Sequence, residues 1–537
     1  MSAMTAPVGR DAAARVAVVG GGIAGLAAAL RLLELARAGG RALEVTVVEA
    51  GDRVGGKVQT ERAGAFVIER GPDSLVASKP HGIQLARRLG LEGDLVGPGP
   101  SAGRTFVVWG GRLQPMPEGF ALGVPVRAQA LWASPLFSLG GKLRASLEPW
   151  IPPRRDGEDE SVAAFLRRRL GREVTDRLAA PLLAGVASGD PEQLSIRATF
   201  PQLVQLEREF GSLVRGMARQ RRKRPGAGRG RTAVQDGTAP AGRTPFVTLK
   251  GGLGRLPEAA ARRIAELGGR IVTGTLITRL EPVFTSAGSA PSGPAAAPAA
   301  AGGRGLGYRL TTAGGERLTV DGLVLAVPAW AAAPLLEPFL PAAAEHLAAI
   351  PYKSTAVVAL AYPEERAGRL DGSGFIVPPG EGRFITACTW VSSKWPGTAP
   401  PGMALLRAFA GRPGEDPLDL ADAELVARVR ADLAELAGVE GDPALVRVYR
   451  WPRAMPQYAV GHLDRMAAVR AALQEHPRLA LAGAGYFGMG VPDCIRQGEA
   501  AAEAVWAALG GQGSGAPGGA GDGTPVEGAH AGGAAAL

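Results

Sequence analysis

Three glycines, Gly20, Gly22 and Gly25, stand at GxGxxG spacing in RVAVVGGGIAGLAAALRLLELARAGG (residues 15–40), and a carboxylate, Glu49, follows 24 residues after the last of them. Those residue types at those intervals suit dinucleotide binding, in which backbone amides cradle a pyrophosphate while an acid holds a ribose. Gly20 permits a tight turn, Gly22 lets the main chain approach phosphate, and Gly25 lets a helix pack closely on a strand. Ile23 and Ala24 open that helix, at whose N-terminus the anion sits. Glu49 would accept from a ribose hydroxyl, and its charge would repel a 2′-phosphate. No second catalytic set stands out. The two cysteines, Cys388 and Cys494, and five scattered histidines offer neither metal-ligand spacing nor a disulfide framework, and no Ser-His-Asp set is found. So few cysteines suit a reducing compartment.

The surrounding pattern supplies the elements that these residues need. RVAVV reads as a buried parallel strand, the run after it has helical period, Gly39-Gly40 ends the helix, and LEVTVVEA is a second strand ending at Glu49. At 537 residues the chain predicts two or three domains. The net charge of +10 is local: residues 215–243 hold nine Arg or Lys and one Asp, contributing +8 and leaving +2 elsewhere. That segment lacks interleaved aromatics, so no specific nucleic-acid partner is expected and it reads as a solvated insertion. The tract 286–305 and the tail 510–537, rich in Gly, Ala, Pro and Ser, read as disordered. The N-terminus lacks the apolar core of a signal peptide, and prolines break the most apolar later run, 323–344, so no membrane span is expected.

GDRVGGKVQT, directly after Glu49, resembles the GxRxGG extension of the flavin amine oxidase superfamily, which implies FAD. IERGPDSLVASKP (68–80), GRLQPMPEG (111–119), APLLAGVASGDPEQLSIRATFPQLVQLEREFGSLVRG (180–216), FVTLKGGLGRLPEA (246–259), WPRAMPQYAVGH (451–462) and GVPDCIRQGEAAAEAV (490–505) then follow in order. Together they resemble the bacterial coproporphyrinogen III and protoporphyrinogen oxidase family over nearly the whole chain. The resemblance implies an α/β fold. Its FAD-binding Rossmann-like domain would comprise 11–75, 245–285 and 476–508, with a mixed-sheet substrate domain at 76–118 and 306–475. A helical subdomain would span 119–215, followed by a basic disordered insertion, 216–244. The strands of 306–327, 353–362, 373–391 and 403–411 would roof the substrate cavity, and RIVTGTLITRLE (270–281) alternates like a strand.

The same resemblance assigns site residues. Cofactor contacts fall to Ala50, Arg53, Gly55, Gly56 and Lys57 beside the glycine turn, and to Gly71, Pro72, Asp73 and Ser74. Leu276, where the family commonly has an adenine-contacting valine, Trp451, Gly485, Val491, Pro492 and Asp493 complete the set. Lys79 and Arg104 are candidates for the substrate's carboxylates; Gly185, Val186 and Ala187 belong to GVASGD, which departs from the family's tyrosine-containing form. Asp73 is the one candidate beyond the flavin for catalysis, as a proton acceptor, with capping of a helix near Ser78 as its other reading. His462 reads as structural rather than as a base. The expected reaction is oxidation of coproporphyrinogen III to coproporphyrin III by FAD with oxygen as acceptor, in haem biosynthesis, in the cytoplasm. The resemblance extends to handover to a ferrochelatase and to peripheral membrane contact, for which the apolar LWASPLF (131–137) is a candidate, a helix packed into the core being its equal alternative. Alternatives are protoporphyrinogen IX oxidation, an amine oxidase or carotenoid desaturase of the same fold, or a non-catalytic porphyrin or nucleic-acid binder. Aromatic residues at only 5% disfavour the amine oxidase's aromatic cage.

Overall fold

Five short runs, mostly β-branched or aliphatic, assemble a parallel sheet in the order Arg270–Val272, Leu43–Val48, Ala14–Val19, Gly322–Leu325, Leu479–Leu481, most deeply buried at Ala14–Val19 and Gly322–Leu325. The computed structural model describes residues 13–187, 189–222, 245–285, 305–368, 370–412 and 416–511. On one face of the sheet lie the first helix, Ile23–Ala38, the last helix, Val491–Ala508, and Arg255–Glu266. Leu26, Leu30 and Leu32 of the first helix are completely buried there, each contributing about 2 kcal/mol of apolar burial. The other face carries an antiparallel sheet of Ile277–Thr285, Gly305–Thr312 and Arg317–Val320 and the helices Ala329–Leu336 and Pro341–Ala348.

A second, seven-stranded sheet stands beside this layer in the order Leu445–Pro456, Tyr352–Pro363, Met403–Ala410, Ile385–Trp390, Gly374–Ile376, Phe106–Trp109, Arg112–Pro115. It is mixed, since Gly374–Ile376 and Phe106–Trp109 run parallel while the other neighbours are antiparallel. Helices between Ala128 and Arg222 form a third layer, centred on Phe165, Leu166 and Leu183. Its buried Arg169 donates to Glu148, Ile151 and Gly211, while Glu148 also accepts from Ser212 and Leu213, so neither charge is left unpaired.

Four sequence expectations change. Residues 306–327 do not join the seven-stranded sheet. Their first two strands pair with Ile277–Thr285, and Gly322–Leu325 enters the parallel sheet, where all four of its residues are buried. RIVTGTLITRLE is two strands, because the loop between them is tied to Gly51 and Glu49. Residues 216–222 continue the helix Leu213–Arg222 rather than beginning an insertion, and Gly305 starts a strand. Within LWASPLF, Leu131, Leu136 and Phe137 are core residues and Trp132 is exposed. Residues 1–12, 223–244, 286–304 and 512–537 lie outside the described residues.

Candidate active site

At the end of the first strand the chain turns so tightly that only glycine serves. Gly20 has φ +105°, and a Cβ there would lie 2.5 Å from the Ala326 carbonyl oxygen. A Cβ on Gly25 would lie 1.9 Å from the Gly20 oxygen, so a side chain would lift the helix off the strand. Gly22 starts the helix with no side-chain cap, leaving first-turn N–H groups available to an anion. The second glycine pair forms a lip of the same groove: the Gly55 N–H donates to the Gly21 oxygen at 2.8 Å, and Gly55 bridges Gly22. Arg53 braces that lip through the Val54 and Gly56 carbonyls.

Glu49 closes one end of the groove. Its Oε2 accepts the Gly21 N–H at 2.6 Å and its Oε1 the Gly51 N–H at 2.8 Å, and each oxygen retains a lone pair for a ribose hydroxyl. Thr275 N–H donates to the Glu49 carbonyl and Gly274 N–H to that of Gly51, which brings Leu276, half exposed, to the Glu49–Ala50–Gly51 loop. At the other end the Lys57 carbonyl lies against Gly71, where a Cβ would approach it to 2.1 Å. Burial lowers the pKa of Lys57, next to Cys494 in the first turn of the last helix. Trp451 Nε1 donates to the Arg70 carbonyl at 2.8 Å and its ring lies against Gly71.

The last helix begins at Val491 after Gly490, again with no side-chain cap. Beneath the loop that leads into it, His462 is fully buried, stacked on Tyr458 at 3.9 Å, with Nε2 2.9 Å from the Tyr486 oxygen. Tyr458 Oη accepts the Gly488 N–H and donates to Ala484, and Gly485 fits against Tyr352 Oη. Asp493 is taken by Lys79 at 2.6 Å. Lys79 therefore anchors the head of this helix.

Pro72, Asp73 and Ser74 pass from the groove into the wall of a 1190 Å³ cavity. Phe106, Trp390 and Phe246 line it from the mixed-sheet side, Phe120, Leu122, Leu182, Leu183 and Gly185 from the helical side. Met489, just before the last helix, packs into that same helical cluster, so the helix head adjoins the cavity. Arg104 lines the cavity with a largely exposed side chain and pairs with Asp371 at 2.9 Å; Lys79 is not among the lining residues. Val186 and Ala187 continue the helix of Gly185, and their side chains and Ser188 lie outside the described residues.

Asp73 does not cap a helix; Lys79 is the N-cap before Pro80, and it makes no capping bond. The Asp73 carboxylate instead accepts from Ser74 Oγ (2.8 Å), Lys394 Nζ (3.2 Å) and Trp395 Nε1 (3.2 Å), with Arg407 Nη1 at 3.8 Å. Burial opposes its ionisation, but Lys394 and Arg407, with the two hydrogen bonds, outweigh burial and hold the carboxyl well below the usual range. Glu69, nearby, is the opposite case: burial pushes it up to about 7 against its bonds from Leu253 and Thr60. Lys394, Trp395, Arg407 and Phe246 escaped the sequence reading. Arg407 carried a signal, a lone charge within the apolar strand MALLRAFA; the others carried none.

The groove fits a dinucleotide: two uncapped helix starts, a ribose acceptor, and no Cβ where phosphate must approach. Residues 23–506 match the family described as flavin containing amine oxidoreductase. The chain belongs to that family. Like other flavin-containing amine oxidoreductases it binds FAD, for which Gly20–Gly25, Glu49 and Gly55-Gly56 would hold the adenosine and pyrophosphate portion, and Gly71–Ser74 and the head of the last helix the flavin. The Bacillus subtilis (strain 168) protein named coproporphyrinogen III oxidase is 37% identical over 91% of this chain and 97% of its own. That of Staphylococcus aureus is 34% identical over 92% and 99%. A crystal structure of a putative protoporphyrinogen oxidase from Exiguobacterium superposes with a TM-score of 0.75 at 32% identity, covering 93% of this chain and 99% of that one. Putrescine oxidase, at 16% identity and TM-score 0.62, shares the fold.

Proposed function

We propose that this chain is the FAD-dependent oxidase that converts coproporphyrinogen III to coproporphyrin III in haem biosynthesis, with oxygen as acceptor and a ferrochelatase as recipient of the porphyrin. The observation that carries this is the end-to-end similarity, 37% and 34% identity, to two proteins named for that activity. Bound FAD supplies the hydride acceptor. The chain's own residues do the rest. Apolar walls of Phe106, Phe120, Leu182 and Phe246 exclude water from the macrocycle, and Arg104 offers a guanidinium fork to a substrate carboxylate in exchange for Asp371.

Plant relatives named protoporphyrinogen oxidase, 32–33% identical over 89–91% of the chain, make protoporphyrinogen IX the second reading. Initial rates of porphyrin fluorescence in air, with flavin-loaded protein, separate the two. A preference for coproporphyrinogen III is expected; a preference for protoporphyrinogen IX would reverse the substrate. Activity on neither would remove both.

Membrane contact belongs to this reading too. Among the described residues no helix is long and apolar enough to cross a membrane. Supporting a surface contact is a row of exposed apolar side chains, Leu139, Leu143, Leu147 and Trp150, along Leu139–Ser146 and the turn after it. Wild-type protein should sediment with anionic vesicles and a Leu139→Ser/Leu143→Ser/Leu147→Ser variant should not; equal sedimentation would refute the contact.

A further inference from the structure

A buried carboxylate is costly unless cations and donors surround it, and Asp73 has been given both. They arrive from separate parts of the chain: Ser74 is its neighbour, Lys394 and Trp395 follow the strand Ile385–Trp390, and Arg407 lies within Met403–Ala410. Lys394 and Arg407 are themselves buried, at 8% and 1% exposure, and Arg407 also donates to the Gly71 carbonyl. Yet Asp73 lines the cavity. The result is a carboxylate fixed on a mostly apolar wall: Lys394 and Arg407 oppose its charge from the Oδ2 side, while Oδ1 accepts from Ser74 and keeps a lone pair for a further donor.

A carboxylate held ionised this firmly is a poor proton acceptor near neutrality, so proton uptake does not suit it. A fixed negative charge suits a different need. On the functional reading above, oxidation breaks a C–H bond at a bridge carbon between two pyrroles. The hydrogen would leave with the bonding pair, for which bound FAD would be the two-electron acceptor, and the macrocycle would retain a positive charge shared with the flanking pyrrole nitrogens. Loss of an N–H proton to solvent then restores neutrality.

We propose that Asp73 is a catalytic residue of this reaction, a preorganised anion that accepts hydrogen bonds from pyrrole N–H groups and stabilises the cation left by hydride loss. Lys394 and Arg407 are its positioning residues. The inference rests on the porphyrinogen reading of the cavity, and it goes beyond that reading by naming the group that meets the developing charge.

The test uses flavin-loaded wild-type, Asp73→Asn and Lys394→Met enzymes. Asp73→Asn keeps the shape and removes the charge. It should lower kcat on the order of a hundredfold with little change in KM, and raise the deuterium isotope effect for bridge-deuterated porphyrinogen. Lys394→Met tests the same idea through pH. Asp73 must be ionised to act, so activity is lost as pH falls through its folded pKa. Removing Lys394 raises that pKa, and an acidic limb should move up into the measurable range. Arg407, and Glu69 beyond it, remain in place in this variant, so the movement reports Lys394 alone. If Asp73→Asn loses its flavin, the Lys394→Met profile decides, and an unmoved profile overturns the proposal. Asp73→Asn within threefold of wild type also overturns it, as does a wild-type limb near neutrality that Asp73→Asn abolishes, which would make Asp73 a base. Wild-type inactivity on both porphyrinogens would instead overturn the functional reading itself.

Discussion

Replacing Gly498 by alanine should weaken FAD binding although Gly498 belongs to no predicted contact with the cofactor. Gly498 lies where the last helix crosses the first, and a Cβ there would stand 2.1 Å from the Ala24 carbonyl oxygen, 3.0 Å from its carbon and 3.1 Å from the Ala28 nitrogen. All three are backbone atoms, so no rotamer relieves the contact. Restoring ordinary van der Waals distance requires the helices to separate by roughly 1 Å. Alanine gains about 1 kcal/mol over glycine in a helix interior, whereas overpacking costs about 1–3 kcal/mol and more against backbone. The balance is a loss on the order of 2 kcal/mol. Because these two helix starts belong to the same cofactor groove, FAD binding must restore their spacing, and the share of that cost carried only by the bound form should raise the Kd for FAD by up to about 30-fold. Flavin fluorescence quenching gives that Kd, and thermal melting of the holoenzyme gives the stability. Gly93→Ala, where a Cβ would meet nothing within 4 Å, is the control and should match wild type. A Gly498→Ala protein that binds FAD as tightly as wild type and melts no lower would refute the reasoning.

Other outcomes follow from the same geometry. Glu49→Ala leaves the Gly21 and Gly51 N–H groups without their acceptor and removes the ribose partner, so FAD affinity should fall on the order of a hundredfold by titration; a change under threefold would exclude the role. Glu69 is raised to about 7 from 4.5, so its contribution to stability is full below about 4.5 and is lost as pH rises through about 7. Wild-type melting temperature should therefore fall more steeply between pH 5 and 8 than that of Glu69→Gln, by up to about 3 kcal/mol of stability, and parallel curves would contradict this. Cys494, pushed up to about 12 by burial, and the buried Cys388 should resist a thiol reagent until the protein unfolds; prompt native labelling would disprove their burial. Arg104→Ala should raise KM for coproporphyrinogen III about fivefold at unchanged kcat, and Asp371→Asn, by freeing Arg104, should lower it. Steady-state kinetics with an unchanged KM in both would take Arg104 out of substrate binding.

The dinucleotide groove was legible because its signals are local. Strand, glycine turn, helix and acid lie within Ala14–Glu49, and their spacing reflects a single supersecondary unit whose sterics act over a few residues. The strand, loop and helix around Leu479–Ala508 were readable for the same reason. The charge cluster of the cavity was not. Asp73 lies more than three hundred residues of chain before Lys394 and Arg407, and no periodicity links them. Misplacing 306–327 had a related cause. An alternating run announces a strand but not its partner, and Gly322–Leu325 joins the parallel sheet because a fully apolar strand must be buried on both faces. Lys79 and Arg104 look alike as isolated cations in sequence; only the fold puts Asp493 against one and a cavity beside the other. By itself the sequence determined the cofactor turn and the family to which it belongs, since these depend on short-range spacing. Which charges face the substrate was decided by tertiary packing, because burial and Coulomb partners are properties of the assembled layers.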